Sequence, residues 1–376
     1  MTPDLPLIAL ILATLTVSAM VALFVIKVWR HRRAKAAAFR SAVYIGALGE
    51  IVSRLTLPAH DRTEWAEDPA FRETLVDFLD FVDGAERDLL VELAHRVGLV
   101  DQFHGELVGS KRESVRLRAS ASLAEIASPS SRKDLRTALS DKSVEVRISA
   151  AAGLSILGAE ADAPAVLAAL EKEDRWAAER MADSLVRFGP AAVQTLSNHV
   201  LIAGPAVSPV PAHLPVVVRI LGLIGDPRAE TALLQALSAD DAWLRIRAAA
   251  ALGHPWGQRV TRALLQRLVD EDWRVRAQAA TALGRHNDRS TLEALSRALR
   301  DEAWWVRQNA AASMADIEGG IDALFEMLDD EDPFAVDAAL AQLMASGYLD
   351  DAATDPERRR LLQQLGRPYL LEPGAG

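Results

Sequence analysis

A motif that recurs roughly every 30 residues is the feature that most constrains how this 376-residue chain can fold. It places an Asp six residues before an Arg, and a helix rich in Ala follows. Residues 270–284 read DEDWRVRAQAATALG, and residues 301–314 read DEAWWVRQNAAASM. A helical unit of this size cannot bury its apolar face alone, so neighbouring units must stack on one another. The repeat therefore predicts an array of stacked helices rather than one central core.

A second helical segment precedes most copies of the motif, as in VTRALLQRLVD at residues 260–270. Its leucines recur at spacings of three and four, which gives each helix one apolar stripe. The two helices of each unit therefore predict an all-α fold, an α-solenoid of about eight helical hairpins over residues 112–347. Residues 71–111 are predicted to form an N-terminal helical cap, and residues 348–376 a C-terminal cap and tail.

The motif of an Asp, five residues, an Arg and an Ala-rich helix ending in Leu-Gly resembles HEAT repeats. It is most similar to the short bacterial type first recognised in phycobilisome lyases. The resemblance implies an α-solenoid with a protein-binding surface. Two positions depart from the pattern, since His213 stands six residues before Arg219, and Asp337 stands where an Arg is expected. The proline-rich residues 204–215 are predicted to form a long loop between hairpins or a protruding recognition element.

The repeated Asp and Arg are predicted to form a structural ladder along the stack. The Asp is well placed to cap the second helix of its unit, and its carboxylate can meet the Arg of its own or an adjacent unit. A residue pair that occurs in nearly every unit favours a structural role over a catalytic one. The predicted ladder residues are Asp141, Arg147, Asp174, Arg180, Asp241, Arg247, Asp270, Arg276, Asp301 and Arg307.

Five of the eight tryptophans fall two to four residues after the repeated Asp, so stacked units would place them along one face. They could pack between adjacent second helices. Alternatively, they could anchor a partner, because Trp is enriched at binding hot spots. The candidate partner-binding residues are Trp176, Trp243, Trp273, Trp304 and Trp305.

The N-terminal segment has no charged residue from Leu5 to Ile26, and a span of about 20 apolar residues is long enough to cross a bilayer. A transmembrane helix is therefore predicted over residues 5–29. A cleaved signal peptide fits less well, because no basic side chain precedes this run and the run is too long. Residues 30–70 are interpreted as a basic juxtamembrane segment and connector. The membrane-proximal bases are Lys27, Arg30, Arg32, Arg33 and Lys35.

This cluster of bases also predicts the orientation, because bases next to a span stay in the cytoplasm. We expect a single-pass protein of the bacterial inner membrane, bound to the bilayer by its N-terminal helix. Its N-terminus would lie outside and its C-terminal domain in the cytoplasm.

Signatures of chemistry are nearly absent from the sequence. The chain has no Cys, and its eight His show no metal-ligand spacing on one helix. Phosphate-binding loops, serine-nucleophile elbows and zinc-protease motifs are missing as well. The formal net charge of −10 argues against binding along a nucleic-acid backbone. We therefore expect no enzyme activity, cofactor, metal, nucleic acid or small-molecule substrate.

The function predicted from these features is that of a membrane-anchored scaffold or adaptor for protein–protein interaction. Residues 304–311 (WWVRQNAA) are similar to a segment of membrane-anchored HEAT proteins that accompany envelope polysaccharide glycosyltransferases. That resemblance implies a membrane-bound enzyme as the partner. Two alternatives stay open, an enzyme of the chromophore-lyase-like HEAT type and a nucleic-acid-binding HEAT-like protein.

Overall fold

The computed structural model describes residues 38–59, 62–254 and 256–348, and these residues form helices and no strands. The chain divides into two compact units, of which the first ends at Leu157 and the second begins at Gly158. No helix in these three ranges is both long enough and apolar enough to span a bilayer. The predicted transmembrane helix, the membrane-proximal bases and the predicted tail beyond residue 348 lie outside the described residues.

The first unit begins with three helices and continues with two hairpins, in which α4 packs on α5 and α6 on α7. The predicted cap over residues 71–111 therefore extends too far, because α4 is the first helix of a hairpin. Its apolar stripe, which includes Phe103 and Leu107, is buried. The helices are α1 (38–54), α2 (Pro69–Leu79), α3 (Gly84–Arg96), α4 (Leu99–Gly109), α5 (Glu113–Ile126), α6 (Arg132–Ala138) and α7 (Val144–Leu157).

The second unit contains six hairpins, in which each even-numbered helix from α8 to α18 is followed by its partner. The second helices of successive hairpins pack on one another from α9 to α19, in the manner of an α-solenoid. The helices are α8 (Ala163–Leu170), α9 (Arg175–Arg187), α10 (Pro190–Ala203), α11 (Leu214–Ile224), α12 (Glu230–Leu237), α13 (Ala242–Ala251), α14 (Gln258–Arg267), α15 (Trp273–His286), α16 (Leu292–Ala298), α17 (Trp304–Ala315), α18 (Gly320–Glu326) and α19 (Pro333–Ala345).

Two glycines allow these second helices to approach closely. A Cβ atom built on Gly222 of α11 would lie 2.5 Å from the Cα of Ala251 in α13. One built on Gly284 of α15 would lie 2.6 Å from the Cβ of Ser313 in α17. The Leu-Gly that ends the repeat motif therefore has a packing role, because only a residue without a side chain fits there.

The proline-rich segment lies within a hairpin and not between hairpins, which corrects the sequence interpretation. Residues 204–213 join α10 to α11, whereas a turn of only four residues, 238–241, joins α12 to α13. Pro215 belongs to the first turn of α11, where a helix tolerates proline. The long loop takes the place of the short turn that elsewhere carries the repeated Asp.

Candidate protein-binding surface

The structural ladder is built from arginines at the fourth residue after the one that precedes α5, α7, α13, α15 and α17, and all of them except the half-buried Arg147 are buried. Arg276 shows the full pattern. Its Nη1 donates to the backbone carbonyl of Asp270 at 3.0 Å, while its Nε and Nη2 donate to the carboxylate of Asp301 at 2.7 and 2.8 Å. The Asp301 carbonyl in turn accepts from Nη1 of Arg307 at 2.8 Å. Each such Asp therefore links two successive repeats, through its carboxylate and through its carbonyl.

The first unit has the same arrangement. Arg116 donates to the carboxylate of Asp141 at 2.7 and 2.8 Å, and Arg147 donates to the Asp141 carbonyl at 2.8 Å. The hydrogen bonds from Arg116 lower the pKa of the Asp141 carboxyl, although burial opposes this effect. Charge-assisted bonds of this kind hold one hairpin against the next.

The prediction was wrong for Arg247, which does not hold the ladder position of α13. Asp174 and Asp241 have the predicted capping role, since they cap α9 and α13 by accepting from backbone N–H groups at 2.9 and 2.8 Å. Arg180 and Arg247 are the sixth residues after those caps, and both side chains are partly exposed. The ladder place in α13 belongs to Arg245, whose Nη2 donates to the Asp270 carboxylate at 2.8 Å.

A shared spacing explains this error. Two arrangements share the spacing of six residues between Asp and Arg. In one, the Asp caps the helix and the Arg is the sixth residue after the cap. In the other, the Asp lies two residues before the cap and the Arg is the fourth residue after the cap, where it is buried. The second arrangement holds for Asp270, so α15 is capped by Asp272 instead. Ala303 likewise precedes α17 in place of Asp301. The sequence did contain one sign of these two arrangements. Arg245 and Arg247 stand two residues apart on one helix, so that one arginine is at the fourth position after the cap and the other at the sixth.

The five candidate tryptophans all lie in the first turn of a second helix. None is buried, which favours an aromatic surface over packing between repeats. Phe334 continues the series into α19 and is 60% exposed; the search for tryptophan alone had missed it. The exposed fractions are 66% for Trp176, 37% for Trp243, 42% for Trp273, 52% for Trp304 and 56% for Trp305.

A group of charged side chains on α9, α11 and α13 lies around the Trp243 ring, and we call it, together with that ring, the arginine cradle. It contains Arg175, Glu179, Arg219, Trp243 and Arg247. The Glu179 carboxylate lies 2.8 Å from Nη2 of Arg219 and 3.4 Å from Nη2 of Arg247. The Cζ atoms of Arg175 and Arg247 lie 5.0 and 4.8 Å from the centre of the Trp243 ring.

The crowding of cations in the cradle is visible at Arg247. Burial lowers the pKa of its guanidinium, Glu179 opposes that effect, and the neighbouring Arg175 and Arg219 lower the pKa further. One carboxylate therefore serves several cations, and an additional anion would be favourable here.

The side chains beside the aromatic residues are different on α15 and α17. Gln278 and Asn309 occupy the outward position that Arg247 holds in α13, and Asn309 donates to the Ala277 carbonyl at 3.2 Å. Trp304 and Trp305 meet edge to face with ring centres 4.6 Å apart. At the position of Arg247, α15 and α17 therefore carry amides, whereas α13 carries a guanidinium, although the exposed Glu271, Arg274 and Glu302 stand beside the tryptophans of α15 and α17.

Two other groups of side chains could carry chemistry. In the second unit, His199 Nδ1 lies 3.2 Å from Glu171, and its Nε2 lies 3.0 Å from Nε2 of His213, whose pKa is lowered by burial. In the first unit, Arg72 and Glu106 pair at 2.7 Å beside a cavity of about 250 Å³. Among the described residues, no three or more His, Cys, Asp or Glu side chains are placed to hold a metal ion.

The family profile for HEAT repeats matches residues 100–186 and 261–345. These segments are HEAT repeats. The first match begins within α4 and the second ends with α19, so the matched limits agree with the helical hairpins. Among curated proteins, none matches the chain.

Solved structures with stacked helices are similar to this chain at low identity, which shows the fold alone. Kap121p is 13% identical over 86% of this chain and 43% of its own, with a TM-score of 0.51. Kap95 in its complex with Nup1 is 14% identical over 89% of this chain and 53% of its own, with a TM-score of 0.52. The chain thus spans about half the length of these karyopherins. The phycocyanin lyase complex of CpcE and CpcF from Nostoc sp. PCC7120 is 20% identical over 65% and 94%, with a TM-score of 0.31.

Proposed function

We propose that this protein is a membrane-anchored, non-catalytic scaffold that docks a protein partner on the outward face of its second helices. The observation that carries the proposal is the series of exposed aromatic side chains in the first turns of α9, α13, α15, α17 and α19. Aromatic anchors supply a large contact area at a small cost in conformational entropy, and they dominate the energetics of many interfaces.

The arrangement of this face supports docking of a protein. Its aromatic rings stand beside amides at one end and guanidiniums at the other, and Trp and Arg are the residue types enriched at interfaces. The complex of Kap95 with Nup1 is an example of a similar fold that assembles with a protein. Trp304 and Trp305 of the WWVRQNAA segment at residues 304–311 lie on this face. Through the resemblance of that segment we propose a membrane-bound envelope polysaccharide glycosyltransferase as the partner.

The aromatic pair on α17 provides the test of docking. We expect Trp304→Ala combined with Trp305→Ala to reduce capture of crosslinked partner from membranes at least about tenfold, since one hot-spot residue contributes roughly 2 kcal/mol or more. Both side chains are exposed, so the free energy of unfolding should change by no more than about 0.5 kcal/mol per residue. Capture is measured by quantitative mass spectrometry, and unfolding by urea titration.

A matched control for this test is Phe81→Ala. Phe81 is an 85% exposed aromatic residue of the first unit that lies outside the second helices, so its loss should leave capture unchanged. Undiminished capture by the tryptophan variant would contradict the proposal, as would an equal loss in the Phe81 variant.

For location, we propose the inner membrane, with the N-terminus outside and the C-terminal domain in the cytoplasm. The bases that follow the uncharged run at residues 5–26 support this orientation. A reporter that is active only in the cytoplasm should be active when fused after Gly376. Changing Arg30, Arg32 and Arg33 to Gln should reduce that activity, because it removes the charge bias. Activity restricted to a reporter that works only outside the cytoplasm would refute the orientation.

A further inference from the structure

We propose that the arginine cradle binds an acidic peptide segment of the partner protein, an inference that rests on the proposed scaffold function. The cradle would recognise side-chain carboxylates, whereas the exposed tryptophans of α15 and α17 would take an apolar part of the same partner. The acidic segment would lie across α9, α11 and α13.

The charge of this face supports an anionic ligand. Four of the arginines on the three helices could meet the ligand, and the acids within these helices are Glu179 and the exposed Asp183, both on α9. Asp174 and Asp241 cap α9 and α13, whereas α11 and α13 themselves contain no acidic residue, in a chain with a formal net charge of −10. Charge complementarity of this kind speeds encounter and selects the partner. The four arginines are Arg175, Arg180, Arg219 and Arg247.

Three of these arginines form one row that the ladder does not use. Arg180, Arg219 and Arg247 are each the sixth residue after the one that precedes their helix. At the equivalent position, α15 has Gln278 and α17 has Asn309. The cationic stretch is thus confined to three adjacent helices and is not a general property of the repeat.

The contacts of Glu179 show that a carboxylate fits between these guanidiniums. Arg219 and Arg247 approach its two oxygens from different helices, at 2.8 and 3.4 Å. Each guanidinium has five N–H donors, and the buried Nε atoms of both arginines have no acceptor. Because one carboxylate leaves most of these donors unused, a carboxylate of the partner could bind beside Glu179 or replace it.

A peptide suits the site better than a nucleic acid. Arg175 and Arg247 both lie against the Trp243 ring, so this ring is not free to stack on a base. A fixed carboxylate in the middle of the site also repels the high charge density of a phosphate backbone. Forked guanidiniums match the geometry of a peptide carboxylate, as the contacts of Glu179 show.

The length of the ligand follows from the packing of the helices. Three helices at 8–10 Å separation cover about 20 Å, which an extended peptide crosses with roughly seven residues. We would therefore use a fluorescein-labelled peptide of about eight alternating Glu and Leu residues, and a matched peptide with Gln in place of Glu. Fluorescence anisotropy with the full-length protein measures the binding of each.

The variants should change this binding in opposite directions. Glu179→Gln should tighten binding of the Glu peptide about tenfold, because it removes a competing carboxylate, whereas Arg247→Gln should weaken binding about tenfold. Arg274→Gln is the matched control with the same change in net charge. Arg274 lies on α15 and pairs with Asp272 of its own turn at 2.5 Å, so its loss should leave the affinity unchanged.

Several outcomes would overturn the inference. It fails if the Glu and Gln peptides bind equally, if Glu179→Gln weakens binding, or if Arg247→Gln and Arg274→Gln have the same effect. A single-stranded oligonucleotide that binds as tightly as the Glu peptide, with the same dependence on Arg247, would identify a polyanion site instead. Arg219→Gln provides a second cradle variant if Arg247→Gln unfolds in a urea titration.

The failure of this inference can be told apart from failure of the proposed function. If Trp304 and Trp305 are needed for capture but the Glu peptide does not bind, the scaffold function stands and the cradle does not recognise acidic segments. If the peptide binds but the tryptophan variant captures normally, the aromatic face is not the docking surface.

Discussion

Replacing Asp270 with Ala should lower the free energy of unfolding by about 3–5 kcal/mol, because it leaves the buried Arg245 with only the exposed Glu271 carboxylate, at 3.2 Å, as an acidic partner. The Asp270 side chain is 3% exposed and that of Arg245 is 5% exposed. Their hydrogen bond at 2.8 Å joins α13 to the turn before α15. The same carboxylate accepts from the backbone N–H of Asp272 at 3.1 Å, so the substitution would also loosen that turn. Urea denaturation followed by circular dichroism measures the loss.

Asp241→Ala is the matched control for this experiment. Asp241 also stands six residues before an arginine, but it only caps α13, and the loss of a cap costs about 0.5–2 kcal/mol. Replacing both members of the buried pair, Arg245→Met with Asp270→Leu, should cost less than Asp270→Ala, because no unpaired charge remains. Equal losses for Asp270→Ala and Asp241→Ala would show that the buried pair adds nothing beyond a cap.

The repeat was visible in the sequence because stacking requires the same residue types in every unit. The Ala-rich second helices, the apolar stripes of the first helices and the Leu-Gly endings each reflect a packing need that recurs. The hairpins of the structure follow this pattern, and the HEAT profile matches two stretches of it. The helix α4 was assigned to a cap because Arg112, and not an Asp, stands six residues before Arg118 in its partner helix α5.

The register of the arginines could not be read from one sequence. An interval of six residues fits a capping Asp as well as an Asp two residues earlier, and only the backbone geometry of the turn distinguishes the two. Arg247 was therefore assigned to the ladder, whereas Arg245 holds that place.

The arginine cradle was hidden for a different reason. It brings together side chains from three helices, and Glu179 and Arg247 are separated by 68 positions in the sequence.

Replacing Gly222 with Val should lower the free energy of unfolding by about 3 kcal/mol, the upper part of the usual range for overpacking a core. A Cβ at this position would lie 2.5 Å from both the Cα and the Cβ of Ala251. Because one of these atoms is backbone, α11 and α13 would have to move apart. Gly105→Val is the matched control, since Gly105 is also helical but nothing lies within 4 Å of its Cβ position. Its effect should be within about 0.5 kcal/mol, because Val and Gly differ little in helix propensity.

The same substitution links helix packing to the cradle. Arg219 lies on α11 and Arg247 on α13, so the spacing of these helices sets how far apart the two guanidiniums stand around Glu179. We expect Gly222→Val to weaken binding of the Glu peptide even at temperatures where the variant stays folded, whereas Gly105→Val should bind it normally. An unchanged urea midpoint for Gly222→Val would contradict the close approach of α11 and α13. A destabilised variant that still binds the peptide with full affinity would show that the cradle does not depend on this spacing.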